Sequence, residues 1–147
     1  MKKQTYNSSS RLISVTERLL ISKLHEEFNK NNVKITVEQW RLLFYLWSED
    51  GVNQRDLSIR ANKEKSTIAR QIVDLEKKGL IFRTCSKPDK RNKLIFLTDE
   101  GRNIKKRSLK IADSITEKAE KNISVADLNT VKKVLDQMIK NIIDDDF

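Results

Sequence analysis

The chain has 147 residues, 37% of them apolar and 35% charged, with a formal net charge of +9. That is the size of one ordinary domain. Scarcity of glycine (3) and proline (1) excludes a turn-rich all-β fold and a Gly/Pro-rich linker, and a single cysteine excludes an internally stapled scaffold. No stretch approaches the roughly 18 apolar residues of a membrane span. No apolar run follows the N-terminal lysines as it would in a signal peptide, so a cytoplasmic protein with no membrane partner is expected.

In chain order, Leu12, Val15, Leu19, Leu20, Leu24 and Phe28 recur at spacings of three and four. That predicts an amphipathic helix over roughly residues 10–30. A second helix begins at "TVEQW", where Thr36 and Gln39 have the spacing of a capping box, and Gly51 suits its stop. Trp40, Leu43, Phe44 and Trp47 form one stripe, expected to be core. A short third helix, "NQRDLSIRAN", has a cap signal at Asn53 and Asp56, with Leu57, Ile59 and Ala61 as its apolar contacts. After a break at "ANK" comes a fourth helix, "EKSTIARQIVDLEKKG". Ile68, Ile72 and Leu75 are its core face and Gly79 its C-terminal stop.

"LIFRTCS" and "KLIFLT" are rich in strand formers and flank "KPDKRN", which predicts a hairpin with Pro88 in its loop. A long helix follows Thr98, with two acids in its first turn opposing the helix dipole. The last helix has a cap signal at Ser124 and Asp127, then Leu128, Val131, Leu135, Met138 and Ile142 in a coiled-coil-like seam that needs a covering partner.

Between Asn53 and Lys93 stand 12 Lys and Arg against 5 Asp and Glu, so this segment carries most of the positive excess. A localised basic patch suits a polyanion surface. On a helical wheel the fourth helix turns Lys63, Thr67, Arg70 and Asp74 away from its apolar side, flanked by Ser66 and Gln71, with Lys65 beside them. Arg can read guanine, Gln adenine and Thr the thymine methyl in a major groove. In the hairpin loop, Lys87, Lys90, Arg91 and Lys93 can neutralise phosphates. Asp89 can orient Arg91 by an ion pair, or simply make the turn after Pro88. Cys85 and the lone His25 suggest no redox or metal site. No catalytic constellation is visible, so neither an enzyme nor a cofactor is expected.

Short helix, break, helix and hairpin make a winged helix-turn-helix, mainly α with a small β-hairpin wing (α+β). The segment from Thr36 to Gly101 resembles the core of the multiple antibiotic resistance regulator (MarR) family. The resemblance lies in the Gln39-Trp40 opening, "KSTIARQIVDLEKKGLI", and the D-x-R and L-T-x-x-G elements of "PDKRNKLIFLTDEG". It implies one domain over residues 1–147, with dimerisation helices in 10–34 and 98–147 around a DNA-binding lobe at 36–97. It also implies a homodimeric repressor of transcription on double-stranded DNA, and a small aromatic effector ligand. Arg91 would enter the minor groove, oriented by Asp89, while Ser66, Thr67 and Arg70 would face bases or phosphates. Two other readings stay open: a regulator without an effector, and a winged-helix module that binds protein and not DNA.

Overall fold

A computed structural model describes residues 8–85 and 93–144. Six helices and three short strands follow in the order α1 (Ser9–Lys30), α2 (Val37–Ser48), β1 (Val52–Asn53), α3 (Gln54–Ala61), α4 (Lys65–Lys77), β2 (Ile81–Cys85), β3 (Lys93–Leu97), α5 (Asp99–Ala119) and α6 (Val125–Asp144). The chain packs as two compact units, residues 1–112 and 113–147. No helix among the described residues is long and apolar enough to cross a membrane.

Local chemistry sets most of the helix boundaries. Thr36 accepts from the Gln39 amide and the Gln39 side chain accepts from the Thr36 amide, each at 3.1 Å, completing the expected capping box of α2. Asn53 caps α3 through the Asp56 amide at 2.8 Å, and Ser124 caps α6 through the Asp127 amide at 3.1 Å. Gly79, at φ 70°, ends α4: its left-handed backbone lets the Leu80 amide bond back to the Leu75 carbonyl at 3.0 Å.

The sheet has the antiparallel order β1-β3-β2. The hairpin β2–β3 is the one expected, with Phe82 opposite Phe96 and Arg83 opposite Ile95. The third strand, β1, is an addition to the expected pair, and it sets Val52 opposite Ile95.

In the first unit the core gathers Phe28 of α1, Leu42, Leu43 and Leu46 of α2, Leu57 of α3, and Ile68, Ile72 and Leu75 of α4. Val52, Ile81, Ile95 and Leu97 close it from the sheet, and Ile104 and Ser108 from α5. The aromatic stripe of α2 is not the centre of this core. Phe44 is 48% exposed, and Phe28, Trp40, Phe44 and Trp47 form an edge-to-face ladder along the helix. The buried line of α2 is Leu42, Leu43 and Leu46, so of the expected stripe Leu43 has the core and the aromatics flank it. Ile59, expected to pack, is 67% exposed.

Two polar staples attach α5 to this unit. The Asp50 carboxylate accepts from the Gly51 and Leu97 amides, each at 3.0 Å, and from Arg102 at 2.5 Å. The Trp47 indole donates to the Gly101 carbonyl at 2.8 Å. Gly101 has no room for a side chain, since a Cβ would lie 2.0 Å from the Leu80 carbonyl oxygen.

In the second unit α6 buries none of its residues; Val131, Val134, Ile139, Ile142 and Ile143 are all more than half exposed.

Candidate nucleic-acid interface

The turn between α3 and α4 is built on Asn62, which takes the left-handed conformation at φ 48°. Asparagine tolerates this conformation better than most residues. The Asn62 amide donates to the Ile59 carbonyl and the Lys63 amide to the Ser58 carbonyl, each at 3.1 Å. These bonds fold the start of α4 back against the end of α3. Ile68, Ile72 and Leu75 are each at most 1% exposed and seat α4 in the core. Burying three such side chains fixes the helix's rotation about its axis, and so determines which residues face outward.

Lys65, Ser66 and Arg70 are exposed, and Thr67 is half-buried beside them. Glu64, at the N-cap, makes no side-chain capping bond. The first-turn amides are therefore open to an anion at the positive end of the helix. An open groove of about 1030 Å³ runs along this end, lined by Arg55, Ser58, Ile59, Asn62, Lys63, Glu64, Lys65, Ser66 and Thr67.

Gln71 has a different setting from its neighbours. Its carboxamide oxygen is buried with no hydrogen-bond partner among the described residues. The residue lines a separate cleft of about 390 Å³ with Glu17, Glu38, Arg41, Leu42, Tyr45, Ala61, Lys63, Thr67 and Ile68. The cleft thus reaches the inner flank of α4, while Ser66 and Arg70 stand on the outside.

Two contacts hold the far end of α4. Lys78 donates to the Gln39 side chain at 2.7 Å, tying it to the start of α2. Arg83 of β2 grips Glu76 of α4, with Nε 3.3 and 3.2 Å from the two carboxylate oxygens and Nη2 2.6 Å from one. The hydrogen bonds from Arg83 hold the Glu76 carboxyl below the usual carboxylate range, and the same contact raises the guanidinium. Nothing in the sequence singles out Glu76 and Arg83. Their pairing joins two elements whose contact no local pattern signals.

Of the basic hairpin residues, Lys93 is exposed at the start of β3. Lys87, Asp89, Lys90 and Arg91, with Pro88, lie outside the described residues. Cys85 is an exposed free thiol at the end of β2. The His25 ring accepts a long bond from the Val37 amide, at 3.4 Å. Among the described residues no group of three His, Cys, Asp or Glu is placed to hold a metal ion.

Comparison with known proteins places this geometry in a family. The sequence profile of the MarR family matches residues 35–93. The HTH-type transcriptional regulator SarZ of Staphylococcus haemolyticus is 30% identical over 106 residues, which cover 72% of this chain and 71% of SarZ. The HTH-type transcriptional regulator TtmR of Methylorubrum extorquens is 33% identical over 72 residues, 49% of this chain but only 37% of TtmR. A MarR family transcriptional regulator from Listeria monocytogenes, solved with a 26mer DNA, superposes with a TM-score of 0.80 at 28% identity, over 94% of this chain and 91% of that one. These relatives are transcriptional regulators.

Proposed function

The chain belongs to the MarR family, and on that premise we propose that it is a sequence-specific, double-stranded DNA-binding transcription regulator acting as a homodimeric repressor. The observation that carries this reading is the presentation of α4. Its apolar face is locked in the core, and its N-terminal end shows Lys65, Ser66 and Arg70 beside uncapped amides. The Listeria relative bound to a 26mer DNA supports the same use of the fold.

In this reading α4 enters the major groove. Arg70 and Ser66 face base edges, Thr67 stands at the rim, and Lys65 and the first-turn amides hold phosphate. The wing carries Lys87, Lys90, Arg91 and Lys93 to the neighbouring minor groove, with Asp89 orienting Arg91. Gln71 contributes from the inner flank of α4, where a change in its packing would alter the helix and not a base contact. The unburied apolar residues of α6, and Leu12 and Leu19 exposed on α1, supply surface for a second copy. A two-fold dimer sets its reading helices about one helical turn apart, so the operator is a pseudo-palindrome.

The cleft behind α4 suits a small aromatic effector. Its volume, about 390 Å³, is in the range of small-molecule pockets. Leu42, Tyr45 and Ile68 offer a ring surface; Arg41 is paired with Glu17 at 3.4 Å and Glu38 is a second acid of the lining, so Lys63 is the cation that would meet an acid group. A ligand preferring a displaced α4 would release DNA by shifting the population of dimers.

The test is duplex binding by fluorescence anisotropy, on a duplex selected from a random pool by the wild-type protein. Arg70→Ala and Arg91→Ala are each expected to weaken binding by about 1–3 kcal/mol. Unchanged affinity in the double variant would overturn the proposal.

A further inference from the structure

Among the described residues of the first unit, Ile59 is the most exposed large apolar side chain, at 67%. Singly exposed apolar residues are ordinary on protein surfaces, so the exposure alone carries nothing. Its surroundings are what distinguish it. Ile59 lines the open groove at the start of α4, among the cations Arg55, Lys63 and Lys65 and the hydroxyls of Ser66 and Thr67; Glu64 is the single carboxylate there. The groove is therefore cationic and polar, with one rigid apolar point. A β-branched side chain in a helix has essentially one χ1 rotamer, so this point is already ordered before anything binds.

The backbone fixes Ile59 relative to the reading helix. Its carbonyl accepts the Asn62 amide at 3.1 Å in the turn that leads into α4. The last turn of α3 is thus tied to the turn that leads into α4, and a duplex edge filling the groove that Ser66 and Thr67 line would also meet Ile59. The apolar group that a major groove presents is the thymine C5-methyl. We infer that Ile59 is a specificity-determining residue that packs on a thymine methyl at one position of each half-site. The inference rests on the DNA-binding reading above and adds a residue and a base to it.

The experiment pairs removal of the methyl group from the DNA with shortening of the side chain. Each thymine of the half-site selected by the wild-type chain is replaced in turn by deoxyuridine, which differs only in lacking that methyl. Anisotropy is read with wild type, Ile59→Val and Ile59→Ala. At one position uridine is expected to weaken wild type about fourfold, the effect of one methyl group's burial. Ile59→Val should keep that penalty, and Ile59→Ala should lose it. Alanine is a better helix former than isoleucine, and a thermal melt of each variant confirms that α3 is intact. A uridine penalty of equal size in wild type and Ile59→Ala overturns the inference, as does a half-site with no uridine-sensitive thymine. So does an Ile59→Ala loss of equal size on selected and scrambled duplexes, which would mean a sugar-phosphate contact. These three outcomes leave DNA recognition standing. Failure of the wild type to select any duplex would overturn both readings.

Discussion

Removing the clasp between α4 and β2 tests how α4 is held. The perturbations are Glu76→Gln, Arg83→Gln and the double variant. Arg83 approaches both carboxylate oxygens, with its shortest contact at 2.6 Å. Its side chain is 28% exposed and that of Glu76 36%. Exposed ion pairs contribute about 0–1 kcal/mol after solvent screening. A charge-assisted, forked arrangement is stronger than a single contact, so a coupling near the top of that range, about 1 kcal/mol, is expected. Each single variant should lose about that much stability, and the double variant little more, since the pair is broken only once.

The pH dependence has a definite sign. Arg83 holds the folded-state pKa of Glu76 below the ordinary 4.5. The stabilisation is therefore fully present above 4.5 and is lost as pH falls from there through the lowered folded value. Urea unfolding followed by circular dichroism, at pH values stepped from neutrality down through the carboxylate range, gives the coupling free energy. A coupling indistinguishable from zero at neutral pH, or one that does not shrink in acid, would refute the reasoning.

Gly101→Ala places a methyl 2.0 Å from the Leu80 carbonyl oxygen, a backbone atom that cannot swing aside. A loss of more than about 2 kcal/mol is expected in denaturant titrations, in the class of core overpacking, and an unchanged midpoint would contradict the geometry. On α6, Val131→Glu with Val134→Glu charges two residues that are 53% and 52% exposed. Sedimentation should show a dimer for the parent chain and a monomer for the variant; a dimer in both would remove α6 from the interface.

Much of this fold is legible in the sequence wherever the cause is local. The caps at Thr36, Asn53 and Ser124, the stop at Gly79 and the core face of α4 all follow from residue types a few positions apart. Strand β1 escapes because two residues carry no periodicity, and its reason is Ile95, more than forty positions away. The Asp50 staple escapes for the same cause: nothing near Asp50 announces the Leu97 amide or Arg102. In α2 the period alone could not tell the leucine line from the aromatic line. The leucines have the core, and the aromatics form a ladder along its edge. On α4 the helical wheel sets Gln71 at the flank of the outward face, and its angle from the core face is small enough for the adjoining cleft to bury its oxygen. Ile59 reads as an apolar contact of α3 by residue type alone, although its position on α3 faces the groove.

The central claim is that this chain reads base sequence and not only charge. Its most direct test is one ratio: the affinity of the wild-type chain for its selected duplex over a scrambled duplex of equal length, measured at physiological salt. A ratio on the order of a thousand or more is expected. Both affinities should fall with added salt, by close to one power for each phosphate neutralised. Equal affinity for the two duplexes, or binding indifferent to salt, would contradict the claim.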